Sequence, residues 1–253
     1  MNSEESAVLG KIKHKYTVGT CIEYTNNSAK LPIPHYSKKK ADMEFQILQA
    51  QINPHFLYNT LDSIKWLAVI QNVHNISSMT NSLINLLKYN ISRNNKTVML
   101  SEELESVKNY VNIQKYRYGD IFEVTYDVNE DLLEYRILKF ILQPIVENAI
   151  FHGFENMEGN CLIKIIARKK DEYLIIEIID NGIGITNERL EDIQSPNKDK
   201  GKLSGIGLRN IEERIKLYFG EKYGLTIDSK LYEGTHVSLF LPIISNEEEF
   251  HVN

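Results

Sequence analysis

Three clusters of glycine and polar residues in the second half of the sequence could each contact one part of a nucleotide. The first cluster runs from Glu147 to Gly153. Its Asn148 and His152 are four residues apart, so they would share one face of a helix. The amide oxygen of Asn148 suits magnesium, a hard cation that prefers oxygen ligands and keeps several waters when it carries phosphates. The alternative is that Asn148 and His152 only form hydrogen bonds within the fold.

The second cluster runs from Asp180 to Gly184, directly after a run rich in β-branched residues. A carboxylate only accepts hydrogen bonds, so Asp180 could bind the exocyclic amino group of adenine and would repel the carbonyl that guanine offers at that position. Gly182 and Gly184 have no Cβ atoms and would let the backbone approach a flat base closely. The alternative is an ordinary Asn-Gly turn.

The third cluster, Gly201 to Leu208, is a glycine-rich loop that opens a predicted helix. Backbone N–H groups around Gly205 and Gly207, together with the positive end of the helix dipole, would make a place for phosphate oxygens. The loop is not a P-loop, because Leu203 follows its Gly-Lys pair and Pro196 stands where the first glycine should be. Each cluster alone is weak, and it is their order along the chain that favours a nucleotide site.

The hydrophobic pattern after residue 96 predicts a domain, residues 97–244, in which helices cover one face of a mixed sheet. Ser101 is predicted to cap its first helix, with Glu102 and Glu103 placed favourably against the helix dipole, and Gly119 is predicted to end that helix. Periodicity then predicts a strand over 122–128, a helix over 135–152, strands over 162–167 and 173–179, a polar loop, a helix over 207–219, and strands over 225–227 and 236–241.

Residues 38–96 have the spacing of two amphipathic helices. Apolar residues from Phe45 to Ala68 form one helical stripe, and those from Ile76 to Leu87 form a second, after a polar stretch that must turn the chain back. Two helices cannot cover each other's apolar faces, so we expect a second copy of the chain to complete a four-helix bundle in a homodimer. The predicted fold class is therefore α+β. Residues 1–37 are predicted to be a weakly ordered lead-in of unknown role, and 245–253 a tail.

Bulk composition argues against several classes of function. The 253 residues carry a net charge of −5 and no strongly basic stripe, so the chain lacks the electrostatic footprint for binding nucleic acid. Its longest apolar runs fall far short of the ~20 residues that a membrane-spanning helix needs, and its acidic start is unlike a signal peptide. Cys21 and Cys161 are too few for a disulfide framework or a four-ligand zinc site. We therefore expect a cytoplasmic chain.

The three clusters together resemble the N, G1 and G2 boxes of the gyrase, Hsp90, histidine kinase and MutL superfamily. The matching residues are Asn148 for the N box, Asp180, Gly182 and Gly184 for G1, Gly205 and Gly207 for G2, and Gly234 and Thr235 for the closing motif. The resemblance implies an α/β sandwich of the GHKL (Bergerat) type that binds magnesium-ATP under a mobile lid, here residues 187–203. It also implies that Asn148 holds the metal and that these boxes, with His152 and Leu208, contact the nucleotide.

The segment from Gln49 to Leu61, which reads Gln-Ala-Gln-Ile-Asn-Pro-His-Phe-Leu-Tyr-Asn-Thr-Leu, is similar to the phospho-acceptor box of the LytS/YesM-like sensor histidine kinases. The segment from Gln143 to Asn148 is similar to that family's N box. The two matches span nearly everything after residue 40. They imply a two-component kinase that moves the γ-phosphate of ATP to His55 and then to an aspartate of a response regulator. The chain would be either a soluble variant or the cytoplasmic part of a membrane receptor.

In its neutral form, the imidazole of the predicted acceptor His55 has one ring nitrogen with a lone pair for attack on phosphorus. Many histidine kinases follow the reactive histidine with an acid that orients its ring, but Phe56 stands there. Gln51 and Asn59, each one turn away, could orient the ring instead, and we favour Asn59. Pro54 fits either a kink in a continuous helix, which the unbroken apolar stripe favours, or the first position of a new helix.

Hydrolysis of ATP by an activated water is poorly supported by the sequence. Superfamily members that hydrolyse ATP usually place a glutamate four residues before the magnesium asparagine, and Pro144 stands there. Glu147 is instead expected to help orient the site. Two alternatives stay open, namely a dimeric ATP-binding regulatory module without kinase activity and an ATPase of the chaperone or topoisomerase type.

Overall fold

The described part of the chain begins with two helices that fold back on each other. The computed structural model describes residues 54–91, 96–119, 121–154, 157, 160–194 and 206–245. Helix α1 (Pro54–Ile70) and helix α2 (His74–Ile91) are joined by residues 71–73, where Asn72 has a left-handed backbone with φ of 57°. The helices pack along each other as an antiparallel hairpin, which confirms the predicted pair for these residues.

Several predictions concern residues outside the described ranges. These are the lead-in over 1–37, the start of the first helix near residue 39, and nearly all of the C-terminal tail. Whether the first helix continues through Pro54 therefore stays a prediction. Within the described ranges, no helix combines the length and the apolar character that are needed to cross a membrane.

A five-stranded mixed sheet forms the centre of the second half of the chain. The strands of this half, including two that lie outside the large sheet, are β1 (Thr97–Met99), β2 (Phe122–Val128), β3 (Arg136–Leu138), β4 (Cys161–Lys170), β5 (Tyr173–Asp180), β6 (Gly224–Lys230) and β7 (Gly234–Pro242). The large sheet has the order β2-β4-β5-β7-β6, in which β2 and β4 are parallel and the other neighbours antiparallel. Strands β1 and β3 form a separate antiparallel pair.

The helices of this half pack on one face of the sheet. They are α3 (Leu100–Tyr118), α4 (Gln143–Asn148), which continues as a π-helical turn (Ala149–Gly153), α5 (Asn187–Gln194) and α6 (Ile206–Phe219). Strand β5 alternates between buried and half-buried residues, as expected of a strand with one covered face. Its Ile176 and Ile178 join Val107 of α3, Val146 of α4 and Ile215 of α6 in one hydrophobic core. The predicted α+β architecture, with helices over a mixed sheet, is confirmed.

The predicted start of α3 is wrong in its details. The helix begins at Leu100, with Met99 as its N-cap residue, whose N–H donates to the Glu102 carboxylate at 2.9 Å. The N–H groups of Leu100 and Ser101 donate to backbone carbonyls of residues 135 and 133, so no Ser101 side-chain cap is needed. Glu102 and Glu103 do lie in the first turn of the helix, as predicted, and Glu103 is fully buried there.

The single helix predicted over 135–152 is also wrong. Residues 136–138 form β3, which pairs with β1, and α4 begins only at Gln143. The pairing partner of β3 lies about forty residues earlier in the sequence, so local periodicity could not reveal it. Pro144 then falls in the first turn of α4, where its missing N–H costs no helical hydrogen bond.

Candidate active site

One pocket is lined by residues from several helices and strands of the sheet domain. Residues from α4, the end of β5, α5, the start of α6 and β7 line it. The predicted nucleotide residues that it brings together are Asn148, His152, Asp180, Gly184, Gly207, Leu208 and Thr235. Gly205 lies outside the described residues, as does most of the predicted lid after residue 194. The first eight lid residues form helix α5, where the sequence had indicated only a polar loop.

Asp180 lies at the end of β5 with only 7% of its surface exposed. Its Oδ1 accepts hydrogen bonds from the backbone N–H of Gly182 at 2.8 Å and of Thr235 at 3.2 Å. Burial raises the pKa of this carboxyl to about 6, although the two hydrogen bonds oppose the increase. Both of these bonds use Oδ1, which leaves Oδ2 to accept a hydrogen bond from a ligand.

The two glycines of the Asp180 cluster have different roles. A Cβ on Gly182 would lie 2.3 Å from the carbonyl oxygen of Gly153, and Ile183 donates to that same oxygen at 2.7 Å. Gly182 therefore allows the loop to pack on the end of the π-helical turn, and it is not among the residues that line the pocket. Gly184 does line the pocket, and its φ of 69° is left-handed backbone that favours glycine.

The rest of the pocket is mostly apolar, and sequence motifs alone did not identify these residues. They are Ile145, Ile178, Ile183, Ile185, Ile193 and Val237. Such a lining suits a flat aromatic base. Helix α5 also places Arg189 at the pocket, four residues before Ile193. This spacing was the available signal, because residues four apart on a helix share one face.

Asn148 places its side-chain amide beside the start of α6. A Cβ on Gly207 would lie 3.9 Å from Asn148 Nδ2. Within the described ranges, no group of three His, Cys, Asp or Glu side chains could hold a metal ion. The donor set therefore fits a metal that arrives with phosphates and water and takes one amide oxygen from the protein, and it does not fit an all-protein metal cage.

His55 and Asn59 lie on α1 and are not among the residues that line the pocket. Both side chains are exposed, and Asn59 Nδ2 lies 3.3 Å from His55 Nδ1. Glu147, the remaining predicted catalytic residue, is also absent from the lining. Its carboxylate lies near the Tyr110 hydroxyl of α3, whose pKa is raised by burial and by the charge of Glu147. The structure thus brings seven of the predicted nucleotide residues together at the pocket, and His55, Asn59 and Glu147 are not among its lining residues.

The helical hairpin and the sheet domain are each covered by a match to a known protein family. The family model "Histidine kinase" matches residues 43–122, and the model "Histidine kinase-, DNA gyrase B-, and HSP90-like ATPase" matches residues 134–245. Sensor histidine kinase YesM of Bacillus subtilis is 40% identical over 201 residues, which are 79% of this chain and 33% of YesM. Sensor protein LytS of Staphylococcus saprophyticus is 34% identical over 210 residues, covering 82% of this chain and 35% of LytS.

A third relative is closer to this chain in length. Putative uncharacterized protein YwpD of Bacillus subtilis is 35% identical over 211 residues, which are 82% of this chain and 73% of YwpD. The chain thus spans about a third of the length of YesM and LytS and nearly three quarters of YwpD.

Proposed function

The chain belongs to the sensor histidine kinases, and from this premise we propose that it transfers the γ-phosphate of ATP to its own His55 and then to an aspartate of a response regulator. The observation that carries the proposal is the exposed imidazole of His55, paired with Asn59, on a chain that also has an adenine-type pocket around Asp180. The chain would bind ATP and the response regulator in the cytoplasm.

Each part of the pocket would take one part of ATP. Asp180 Oδ2 accepts a hydrogen bond from the adenine amino group, while the isoleucines of the pocket cover the faces of the base. The phosphates lie toward Gly207 and Leu208, where the first N–H groups of α6 point outward. Asn148 and His152 also line the pocket, and Asn148 Oδ1 would hold Mg²⁺, which neutralises phosphate charge when it is bound.

The His55–Asn59 pair selects the ring nitrogen that reacts. The nitrogen and oxygen of an amide exchange places by a half turn, so Asn59 can accept a hydrogen bond from a protonated Nδ1. That bond fixes the tautomer in which Nε2 has the lone pair. Nε2 attacks the γ-phosphorus and forms a P–N bond. The bond between the γ-phosphorus and the bridging oxygen of the β-phosphate breaks, and ADP leaves with that electron pair. The Nδ1 proton stays on the ring and continues to donate to Asn59.

An Asn59→Ala variant is expected to phosphorylate His55 about tenfold more slowly, because the loss of one hydrogen bond to a group that becomes charged costs about 1.5 kcal/mol. Its affinity for ADP should equal that of the wild type, since Asn59 is not among the residues that line the pocket. Rates of label incorporation from radiolabelled ATP test this expectation. The matched control is Asn81→Ala, an exposed asparagine on α2. An unchanged rate in Asn59→Ala would rule out the assigned role.

The helical hairpin is expected to form the predicted homodimer. Large apolar side chains remain exposed on it, and those more than half exposed are Phe56, Trp66, Leu67 and Ile70. Large apolar side chains exposed on one element mark an association site, and pairing with a second hairpin would cover them. Light scattering should give twice the mass of one chain for the wild type, and Leu67→Glu should shift the mass toward that of one chain. A monomeric wild type would contradict the proposal.

The nature of the labelled product tests the proposed function directly. After incubation with γ-labelled ATP, the wild-type chain should contain phosphate that is labile to acid and stable to alkali, the behaviour of a P–N bond. A regulatory module without kinase activity would bind ATP and remain unlabelled. An ATPase of the chaperone or topoisomerase type would release phosphate steadily without labelling the protein.

A further inference from the structure

Helix α2 contacts the sheet domain through a row of hydrogen bonds. Its contributing residues follow the spacing of one helix face, namely Ser78, Ser82, Asn85 and Tyr89. On α3, Asn112 donates to Ser82 Oγ at 2.7 Å and to Ser78 Oγ at 3.4 Å. Asn85 donates to Asn109 Oδ1 at 3.3 Å, and the Tyr89 hydroxyl donates to the Glu103 carboxylate. Leu86 of the same helix also joins the hydrophobic core of the sheet domain.

The Glu103 carboxylate lies at one end of this row and has several backbone partners as well. Glu103 is 0% exposed, and it accepts hydrogen bonds from the N–H groups of Phe140 at 3.0 Å, Ile141 at 2.9 Å and Leu142 at 3.1 Å. Leu142 directly precedes α4, the helix that contains Asn148. We call the hairpin of α1 and α2 the stalk. One buried carboxylate therefore binds both Tyr89, near the end of the second stalk helix, and the residues that lead into α4, the helix that reaches the nucleotide pocket.

The segment that Glu103 binds is held from other directions too. Phe140 has a left-handed backbone with φ of 60°, a conformation that is unfavourable in a residue other than glycine. Lys139 donates to the carbonyl oxygen of Tyr89 and places its ammonium 4.5 Å from the Tyr89 ring centre. Arg214 of α6 donates to the carbonyl oxygen of Lys139 at 2.7 Å. Strained backbone that several elements hold in place is a reason to look for a functional role.

Tyr89 also lies at a particular height on the stalk. His55 is fifteen residues before the end of α1, and Tyr89 is fifteen residues after the start of α2. With a rise of 1.5 Å per residue, both lie about 22 Å from the turn of the antiparallel hairpin. The contact between Tyr89 and Glu103 therefore attaches the sheet domain to the stalk at the level of the acceptor histidine.

We propose that Tyr89 and Glu103 are positioning residues for phosphoryl transfer: their hydrogen bond holds the ATP-binding domain on the stalk at the level of His55 and couples that contact to the start of α4. The inference rests on the proposed function. Neither residue is among those that line the pocket, so we expect loss of the pair to lower the rate of transfer far more than the affinity for ATP. Burial of Tyr89 and the charge of Glu103 raise the pKa of the tyrosine, so its hydroxyl stays a donor at all physiological pH values.

The experiment measures the rate of His55 phosphorylation against ATP concentration in the wild type, Tyr89→Phe, Glu103→Gln and the double variant. Tyr89→Phe keeps the ring and removes only the donor, and it should lower the maximal rate about tenfold, as expected for one hydrogen bond to a charged group. The ATP concentration at half-maximal rate should change by less than about twofold. The double variant should be no slower than Glu103→Gln alone, since the two residues act as a unit.

Tyr116→Phe is the matched control, because Tyr116 is a 42% exposed tyrosine on α3. It should behave as the wild type, and melting curves should show that every variant is folded. A Tyr89→Phe protein with the wild-type maximal rate would overturn the positioning role alone, as would a parallel loss of rate and of ATP affinity. If Tyr89→Phe does not fold, Glu103→Gln decides by the same split. An unlabelled wild type that still binds ATP would instead overturn the proposed function, and the inference with it.

Discussion

A His55→Ala variant is expected to incorporate no acid-labile phosphate at all while binding ADP as tightly as the wild type. The imidazole supplies the only nitrogen that the proposed mechanism uses as a nucleophile, so nothing replaces it when it is removed. Binding should persist because His55 is not among the residues that line the pocket. Incubation with γ-labelled ATP followed by acid and alkali treatment measures the first expectation, and ADP titration calorimetry measures the second.

The matched control for this variant is His74→Ala. His74 is also an exposed stalk histidine, at the first position of α2, and its removal should leave labelling unchanged. Label that persists in His55→Ala would place the acceptor elsewhere in the chain. A joint loss of labelling and ADP binding would show that His55 supports the fold, and the assignment of His55 as acceptor would fail.

The residue types and their spacing predicted several residues that line the pocket but missed most of its apolar ones. Asn148, Asp180 and Gly207 were identified because each residue type suits one chemical part of ATP and each cluster falls next to a predicted strand or helix. The strands β4, β5 and β7 were identified because their two-residue alternation records which face of the sheet is covered. These are local signals, and local signals survive in a sequence without a structure.

The contacts that the sequence could not reveal are those between residues far apart in the chain. Glu103 follows Glu102 at the start of α3, and both were placed beside the helix dipole. Only folding shows that Glu103 accepts hydrogen bonds from residues 37 to 39 positions later. The pairing of β1 with β3 has the same cause, since the β3 residues look helical until their partners are known. Gly182 is a subtler case, because its close neighbour is Gly153 rather than a base.

Replacing Asp180 with asparagine is expected to weaken ADP binding about a hundredfold while leaving the fold intact. Asparagine keeps an oxygen for the N–H groups of Gly182 and Thr235, so its amino group must occupy the place of Oδ2. That amino group would then face the adenine amino group, donor against donor. The loss of a hydrogen bond together with an unpaired buried donor amounts to about 2.7 kcal/mol, which corresponds to a hundredfold.

The same substitution should change which base is preferred. Inosine diphosphate has a carbonyl where adenine has its amino group, so it should bind Asp180→Asn better relative to ADP than it binds the wild type. Calorimetric titration of both nucleotides at pH 7.5 gives the two ratios. Asp228→Asn is the control, because Asp228 is exposed on β6 and is not among the pocket residues. Equal ratios in Asp180→Asn and the wild type would exclude Asp180 as the adenine acceptor.

The pH dependence of binding follows from the direction of the Asp180 pKa shift. Its pKa is raised from 3.8 to about 6 in the folded chain, and the proposed bond to adenine needs the ionised form. The affinity for ADP should therefore be highest well above pH 6 and should fall by up to about tenfold for each pH unit below it. The fall in the wild type should exceed the fall in Asp180→Asn over the same pH range. Comparison with this variant corrects for protonation of the nucleotide, which affects the affinity of both proteins alike.

Linkage also predicts how the substitution affects stability. A carboxyl whose pKa is raised on folding favours the folded state when it is protonated, and that contribution is lost as the pH rises from 3.8 through 6. At pH 7.5 the ionised Asp180 thus lowers the free energy of unfolding by about 3 kcal/mol, and a neutral asparagine does not. Asp180→Asn should consequently melt no lower than the wild type although it binds ADP poorly. A lower melting temperature would mean that the carboxylate stabilises the loop, and that its burial is not maintained for the sake of the nucleotide.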